Sequence, residues 1–343
     1  MRLLILTQKV DLNDDVLGFF HGWIKELSKK YSSIIVIALE VNNYDLPENV
    51  EVLSLGKENG RSKIKYIINF YKYIWNKKSN YDSVLVHMNA EYMALGGLLW
   101  KLWGKRTSLW YNHSHGSVWA RISTYISDNI FYTSPFAFMA KFRKSVKMPV
   151  GINTDLFKLN ENISKKDNSL LFLSRISPVK KLKELIEALL ILDQDNIDFK
   201  LTIAGEASEG SENYFNKVKV LSKDLEMKGK VQYIGSVPNY ETPSLYNEHE
   251  IFINLTESGS FDKTIVESMS SGTLVLVLNE SLKDFLPKDF IFSDSSPQVI
   301  SDVIKKALSM DSDSGKNHIS KNRAYVESGH SLKKLTNSLY GLL

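Results

Sequence analysis

The sequence predicts an α/β protein built from two Rossmann-like, doubly wound domains facing a cleft. Three observations lead there. Short apolar runs alternate with helix-length amphipathic segments along all 343 residues, the pattern of a parallel sheet with helices on its faces. The pattern restarts after a polar run, Asn160 to Asn168, the clearest linker in the chain. The length is also large for a single hydrophobic core. The expected division is an N-terminal domain at 1–152 and a second at 153–325. Residues 326–343 are expected to form a C-terminal helix packing back towards the first domain.

Composition narrows the function classes. Hydrophobic residues make up 43% and charged residues 24%, as in an ordinary soluble globular chain. The 43 basic and 39 acidic residues leave a formal charge of +4, too mild to imply nucleic acid. No cysteine occurs, so disulfides, thiolate metal sites and a cysteine nucleophile are excluded. That suits a reducing cytoplasm, the expected compartment. The LLIL run after Met1-Arg2 is strand-length and does not read as a leader. Nowhere do 18 apolar residues run together, so no spanning helix is expected.

In chain order, Leu3 to Leu6 reads as a buried strand and Gln8 to Asp15 as a polar loop carrying Asp11, Asp14 and Asp15. A helix from about Val16 to Lys30 and a strand Ile34 to Leu39 follow. The turn lacks G-x-G-x-x-G, so no dinucleotide fingerprint is present. Gly18 and His21 open that helix at the strand ends and are candidate ligand contacts, although a lone helical His is more commonly structural. Arg61 to Lys78 interleaves aromatic and basic residues. Ile64, Ile67, Ile68, Tyr71, Ile74 and Trp75 form one stripe, read as core-facing with a solvated back. The alternative is a basic, aromatic surface helix lying on anionic lipid. A strand Ser83 to Val86 ends at His87, and Glu91 to Trp103 is an apolar helix closed by Gly104. Ser108 to Asn112 runs directly into His113-Ser114-His115-Gly116. The two His lack a third ligand, so hydrogen bonding to a ligand in the crevice is the better reading than metal. Ile130 to Thr133, a helix from Pro135 to about Lys144, and Ser145 to Met148 complete the first half.

In the second half, Leu170 to Leu173 is a strand, Ser174 to Val179 a loop and Lys180 to Leu192 a helix. Phe199 to Ala204 is a strand closed by Gly205-Glu206, followed by a charged helix from Glu212 to Lys228. Val231 to Ile234 is a strand, and Pro238 to Glu248 mostly helical. The stretch Ile251 to Val277 then reads as strand, loop, helix, tight turn and strand. Its loop lies at the carboxyl end of a strand and the amino end of a helix, where free N–H groups and the dipole attract an anion. Glu267 lies one to two turns inside, within reach of a sugar hydroxyl.

Several motifs in this order resemble the family 4 retaining glycosyltransferases, which have the glycosyltransferase B fold. The matching pieces are SRISPVKKLKELIEAL, LTIAGE, VQYIGSVPNYETPSLY and GSFDKTIVESMSSGTLVLV, with MPVGINTDLF similar to the interdomain turn and WYNHSHG to the His-bearing loop. The first 100 residues match mainly in topology. The resemblance implies an acceptor-binding first domain and a nucleotide-sugar-binding second one. It implies that Arg175 and Lys180 clamp the donor diphosphate, and that their charge stabilises the leaving nucleoside diphosphate without a metal. Glu267 would bind the ribose, Gly205 and Glu206 would line the nucleotide site, and backbone near Gly235 would frame the base. His113 would meet the donor sugar, with His115 the second choice. Gly18, His21, His87 and His115 are the acceptor-side candidates. One departure stands out. The family pattern has a Glu separated by seven residues from the equivalent of Glu267, followed by Gly-Phe-Gly. Here Gly259 holds the Glu position, and Ser260-Phe261-Asp262 follows, then Lys263 and Thr264. Asp262 or Lys263 takes over part of the sugar contact, or Asp262 only favours the helix N-terminus.

The implied activity is transfer of a hexosyl unit from a UDP- or GDP-sugar to an acceptor hydroxyl, with retained configuration. No cofactor is expected beyond the nucleoside-diphosphate sugar as co-substrate. The acceptor would be a glycan or lipid-linked glycan in polysaccharide or glycolipid synthesis. The competing readings are an epimerase or phosphorylase on the same fold, or a non-catalytic sugar-binding protein. Peripheral contact with the inner face of a membrane is expected through the Arg61 to Lys78 helix and through Phe136 to Lys147, FAFMAKFRKSVK.

Overall fold

The computed structural model describes residues 1–60, 62–259 and 261–343. The chain forms two compact units, one of Met1–Gly151 with Leu332–Leu343, the other of Ile152–Ser331. Unit 1 contains β1 (Arg2–Val10), α1 (Gly18–Ser28), β2 (Ser33–Val41), β3 (Val50–Ser54), α2 (Lys63–Asn76), β4 (Ser83–His87) and α3 (Ala90–Leu102). It continues with β5 (Arg106–Trp110), α4 (Val118–Ile126), β6 (Asn129–Tyr132) and β7 (Ser145–Lys147). The seven strands make one sheet in the order β3-β2-β1-β4-β5-β6-β7, each pair parallel. A parallel sheet covered on both faces needs apolar residues at successive positions, and Leu3 to Leu6 are all fully buried. Leu3 and Ile5 pack with Phe20, Trp23 and Leu339 on one face. Leu4 and Leu6 pack with Phe70, Ile74 and Trp100 on the other.

Unit 2 contains β8 (Ser169–Leu173), α5 (Leu182–Gln194), β9 (Lys200–Ala204), α6 (Glu212–Met227), β10 (Val231–Gly235), α7 (Thr242–Glu248) and β11 (Ile251–Asn254). It ends with α8 (Lys263–Ser270), β12 (Leu274–Val277), α9 (Pro297–Leu308) and α10 (Ser312–Gly329). Its five parallel strands run β10-β9-β8-β11-β12. Strand order reverses between β8 and β11, so the loops leaving those two strands diverge and open a crevice at their carboxyl ends. In unit 1 the same reversal falls between β1 and β4. The last helix, α11 (Leu332–Leu342), belongs to unit 1. There Tyr340 meets Tyr31 edge-on at 5.3 Å, and the Asn129 amide donates to the Leu342 carbonyl at 2.8 Å.

Four expectations are corrected. Asn160 to Asn168, read as a linker, does not separate the two units. It lies inside unit 2, tied to α7 and the residue after it by Asn160 N–H to Asn247 Oδ1 (2.7 Å) and Lys165 Nζ to the His249 carbonyl (2.7 Å). The expected helix from Pro135 is only a 3-10 turn at Phe138–Lys141. Phe138 N–H donates to the His113 carbonyl at 2.8 Å, and β7 takes the residues that follow. The C-terminal helix begins at Leu332, because α10 runs unbroken to Gly329. The stripe on α2 reaches the core only at Ile74, with Tyr71 packed against it. Only Phe70 and Ile74 are buried on that helix, while Ile64, Ile67, Ile68 and Trp75 are exposed. The helix carries two apolar faces, and the one bearing Phe70 meets Trp100 and Tyr92 of α3. Periodicity cannot choose between two such faces.

This correction gives a stability prediction. Ile74→Ala should cost about 2–5 kcal/mol by deleting buried methyl groups. Ile64→Ser should stay within about 0.5 kcal/mol, as expected for an exposed position. Denaturant unfolding of the two variants checks the pair; a large loss from Ile64→Ser would restore the stripe to the core.

Candidate functional site

The site is assembled at the strand reversal in unit 2. The loops after β8, β9 and β10 are laced together by backbone hydrogen bonds. Ser174 N–H donates to the Ala204 carbonyl (3.1 Å), Ile176 N–H to that of Glu206 (2.8 Å) and Gly205 N–H to that of Gly235 (2.7 Å). Gly205 has φ +141°, and a Cβ there would lie 2.0 Å from the Ser174 carbonyl oxygen. Only glycine satisfies both conditions. Gly235 also has positive φ, and the Glu206 carboxylate lies over it. The lacing holds Arg175 on the rim of the loop, exposed and without an ion pair among the described residues. Pro178–Lys180 forms a 3-10 turn and Lys181 is left-handed at φ 55°. Lys180 thus precedes α5 instead of beginning it.

Three donors converge on one oxygen, Asp262 Oδ2. They are Lys180 Nζ at 2.6 Å, Asn254 Nδ2 at 3.0 Å and Thr256 Oγ1 at 3.1 Å. Lys180 Nζ also donates to Thr256 Oγ1 at 3.0 Å, and Asn254 Nδ2 lies 3.3 Å from Thr264 Oγ1. Burial alone would raise the Asp262 carboxyl. The Lys180 charge and the bonds from Lys180, Asn254 and Thr256 outweigh it and hold the group down to about 2. Asp262 occupies the N-cap position of α8 but makes no capping bond. Its carboxylate is turned to Lys180, so capping is not its role. Lys181 pairs with Glu257 at 2.9 Å.

Glu267 lies one turn inside α8, buried. It accepts from Asn239 Nδ2 at 3.2 Å and from the Tyr246 hydroxyl at 3.3 Å. Burial pushes its carboxyl up and the Lys263 ammonium down, each partly offset by the other's charge. Gly259 and Phe261 are buried in the approach to α8, the Phe261 ring stacked on His330 at 6.0 Å. Ser260 lies outside the described residues.

The unit 1 candidates separate into two groups. Gly18 and His21 are buried at the start of α1, and Asp45 N–H donates to His21 Nε2 at 3.0 Å. His87 is buried at the end of β4, its ring stacked 4.0 Å from that of Phe20 and Nδ1 3.3 Å from Thr7 Oγ1. His113 and His115 instead stand exposed just beyond β5. The His113 ring meets Tyr111 edge-on at 5.1 Å, and partial burial lowers its pKa, with Glu91 opposing. The Tyr111 hydroxyl donates to the His115 carbonyl at 3.0 Å. No group of three His, Cys, Asp or Glu able to hold a metal occurs among the described residues.

Asn239, Tyr246, Asn254 and Thr256 escaped the sequence reading. Asn254 ends an otherwise apolar strand, IFIN, and that polar ending was the available signal. Asn239 and Tyr246 gave none beyond lying within a matching segment.

Residues 153–325 match the model of the glycosyl transferases group 1, and the protein belongs to that family. A stretch of 126 residues is 29% identical to the alpha-monoglucosyldiacylglycerol synthase of Streptococcus pneumoniae (strain ATCC BAA-255 / R6), covering 37% of this chain and 27% of that protein. Two crystal structures superpose on nearly the whole chain at TM-score 0.79. The glycosyltransferase of Rickettsia africae ESF-5 is 19% identical, covering 99% of this chain and 97% of its own. Anabaena HepE in complex with UDP and glucose is 15% identical, covering 99% and 98%. The chain therefore has the glycosyltransferase B fold.

The charged knot makes a prediction. Asp262→Asn should lower unfolding free energy by about 1–3 kcal/mol at neutral pH, the usual worth of hydrogen bonds to a charged group. The native carboxyl titrates below its ordinary value of 3.8, so this stabilisation is complete above that value and lost as pH falls through about 2. Denaturant unfolding of both proteins across that range should show the gap closing. A gap independent of pH would mean the carboxylate charge is not what Asp262 supplies.

Proposed function

We propose that the protein transfers a hexosyl unit from a nucleoside-diphosphate sugar to an acceptor hydroxyl, with retention of configuration and without a metal ion. The observation that carries this is the Lys180 ammonium, held at the uncapped amino end of α8 with Glu267 one turn further in. Two of its three protons go to Asp262 and Thr256, which leaves the third for a phosphate oxygen. Arg175 on the adjoining loop supplies a second cation, and the first N–H groups of α8 a favourable dipole. Glu267 accepts from the vicinal ribose hydroxyls. Gly205, Glu206 and Gly235 form the wall of the nucleotide site, while Gly259, Phe261, Lys263 and Thr264 border the sugar. His113 is assigned to the donor sugar on the family resemblance alone. On this reading the diphosphate leaves as the acceptor hydroxyl attacks the same face of the sugar, and a departing phosphate oxygen takes the hydroxyl proton. A covalent route would need a carboxylate near the anomeric carbon, and Gly259 stands where the family has one.

The domain assignment follows: unit 2 takes the donor, unit 1 the acceptor, with Gly18, His21, His87 and His115 on the acceptor side. UDP-glucose is the first donor to test, because HepE has also been crystallised with it; a GDP-sugar is the alternative. The pneumococcal relative is named for a glycolipid product, which favours a lipid-linked acceptor met at the cytoplasmic face of a membrane. No helix among the described residues is long and apolar enough to cross one.

Turnover of a panel of nucleotide sugars, with product configuration read by NMR, tests the proposal. Transfer should persist in excess chelator. Arg175→Ala and Lys180→Ala should each slow it roughly 30- to 1000-fold, about 2–4 kcal/mol of lost charge stabilisation at the leaving phosphate. Near-wild-type rates in both variants would remove the diphosphate clamp. Conversion of donor without an acceptor would instead identify an epimerase, dependence on inorganic phosphate a phosphorylase, and nucleotide binding without turnover a binding protein.

Glu267 yields a pH test. A hydroxyl donates best to the ionised carboxylate, and burial raises the pKa of this one despite Lys263. Donor affinity should therefore fall as pH drops below neutrality, and Glu267→Gln should be weaker at high pH with that slope flattened. Titration calorimetry with the nucleoside diphosphate measures both. An unchanged slope in the variant would assign the titration to another group.

A further inference from the structure

We propose that the outward face of α2, α3 and α4 is a docking surface for an anionic lipid bilayer. The inference deepens the acceptor side of the proposed function and does not depend on the donor reading. Its starting point is the side of α2 that faces away from the core. Ten of the nineteen large apolar side chains left exposed among the described residues lie on these three helices. Ile64, Leu98, Leu102, Val118 and Tyr125 leave between 67% and 89% of their surface in solvent. Soluble surfaces tolerate such residues singly, whereas a contiguous set marks a binding face.

The set is contiguous. Trp75 of α2 meets Trp103, at the end of α3, edge-on at 5.5 Å, and the Tyr71 hydroxyl donates to the Leu95 carbonyl at 3.2 Å. On the other flank, α4 sits close enough that a Cβ on Gly97 would strike Ile126 at 2.3 Å, and Ser123 Oγ donates to the Ala90 carbonyl at 3.0 Å. Within each helix the exposed residues share one side. Ile64 and Ile68, Leu98 and Leu102, and Val118 and Ile122 are each four residues apart, one above the other. The inward sides of the same helices are occupied by Phe70, Ile74, Met93, Trp100 and Ala120, packed in the core. These helices therefore do not need their outward apolar residues to fold.

Charge selects the occupant. The three helices carry Lys63, Lys65, Lys72, Lys101 and Arg121 against a single acid, Glu91. Lys63, Lys65, Lys72 and Arg121 make no ion pair among the described residues, and Lys78 lies over the Trp75 ring at 4.8 Å. Apolar prongs ringed by unpaired cations, with Trp and Tyr among them, match a layer that is apolar inside and anionic at its surface. The segment expected from sequence to join this contact, Phe136 to Lys147, is not needed for it.

The experiment is co-sedimentation of the full chain with vesicles of phosphatidylcholine alone or mixed with phosphatidylglycerol, at low and high salt. Binding is expected to the anionic vesicles at low salt, falling roughly tenfold or more at high salt, because several lysines contribute and each is screened. Leu98→Glu with Leu102→Glu should lower partition roughly tenfold or more by removing two inserted side chains. Lys63→Gln with Lys65→Gln and Lys72→Gln should lower it similarly and remove most of the salt dependence. Hydrolysis of the donor in solution should be unchanged in both variants. That readout separates failure here from failure of the transferase reading. No binding to anionic vesicles, or binding that both variants retain, overturns the proposal. So does a lipid-free dimer, seen by sedimentation equilibrium, that the leucine variant dissociates.

Discussion

The arrangement in unit 2 depends on a single carboxylate oxygen. Asp262 Oδ2 accepts from Lys180, Asn254 and Thr256, and those residues come from the turn before α5, the end of β11 and the loop after it. Without that acceptor, the Lys180 ammonium would be a long flexible side chain with a choice of rotamers in water. With it, the cation is fixed beside α8 before any ligand arrives. The cost of ordering the side chain is then met during folding instead of on binding. The strand reversal between β8 and β11 makes this possible, because only there do two loops diverge and leave room for side chains from both.

A second constraint is steric. The loops after β8 and β9 approach so closely at Gly205 and Ser174 that a methyl group would not fit. That contact fixes where Arg175 emerges beyond the carboxyl end of β8. The two cations are therefore held by different means, Lys180 through its side chain and Arg175 through its backbone. An exposed Arg on a fixed backbone can swing to meet a ligand; a paired Lys cannot.

Much of this was legible in the sequence, and the limits are physical. The second half could be read because its strands are short, wholly apolar and each closed by a small or polar loop, so β8, β9, β11 and β12 were found within a few residues. Gly205 was visible through the matching segment LTIAGE, and the structure supplies the reason, a backbone approach that only glycine allows. Glu267 was visible because it is a carboxylate among the apolar and small residues of a short helix next to a strand end. The α2 stripe misled because the helix is apolar on two sides, and amphipathic patterning reports a face without saying what it faces. β3 was missed because an edge strand half in solvent, VEVLS, lacks the continuous apolar run of its neighbours. The bond from Asp262 to Lys180 spans 82 positions. Local pattern favoured a helix cap for Asp262, and only the fold could bring a cation near enough to compete.

Asp262 stands where the resembled family pattern has Gly; it alters the charge around the proposed phosphate site, and the geometry limits how. At a distance the Lys180–Asp262 pair is close to neutral, so it does not add a full positive charge to the long-range field. Close in, the pair is a dipole whose positive end is the ammonium with one unspent proton. A phosphate oxygen that reaches this proton gains a charge-assisted hydrogen bond, while a loosely placed anion gains little. The remaining charge on a diphosphate must be met by Arg175 and by the uncapped N–H groups of α8. Such a site discriminates by position more than by net charge. It would bind a correctly seated donor while holding a departing nucleoside diphosphate less tightly than two free cations would, so product release need not be slow. On the proposed reading, Asp262 would give up some ground-state affinity for a fixed direction of the Lys180 charge.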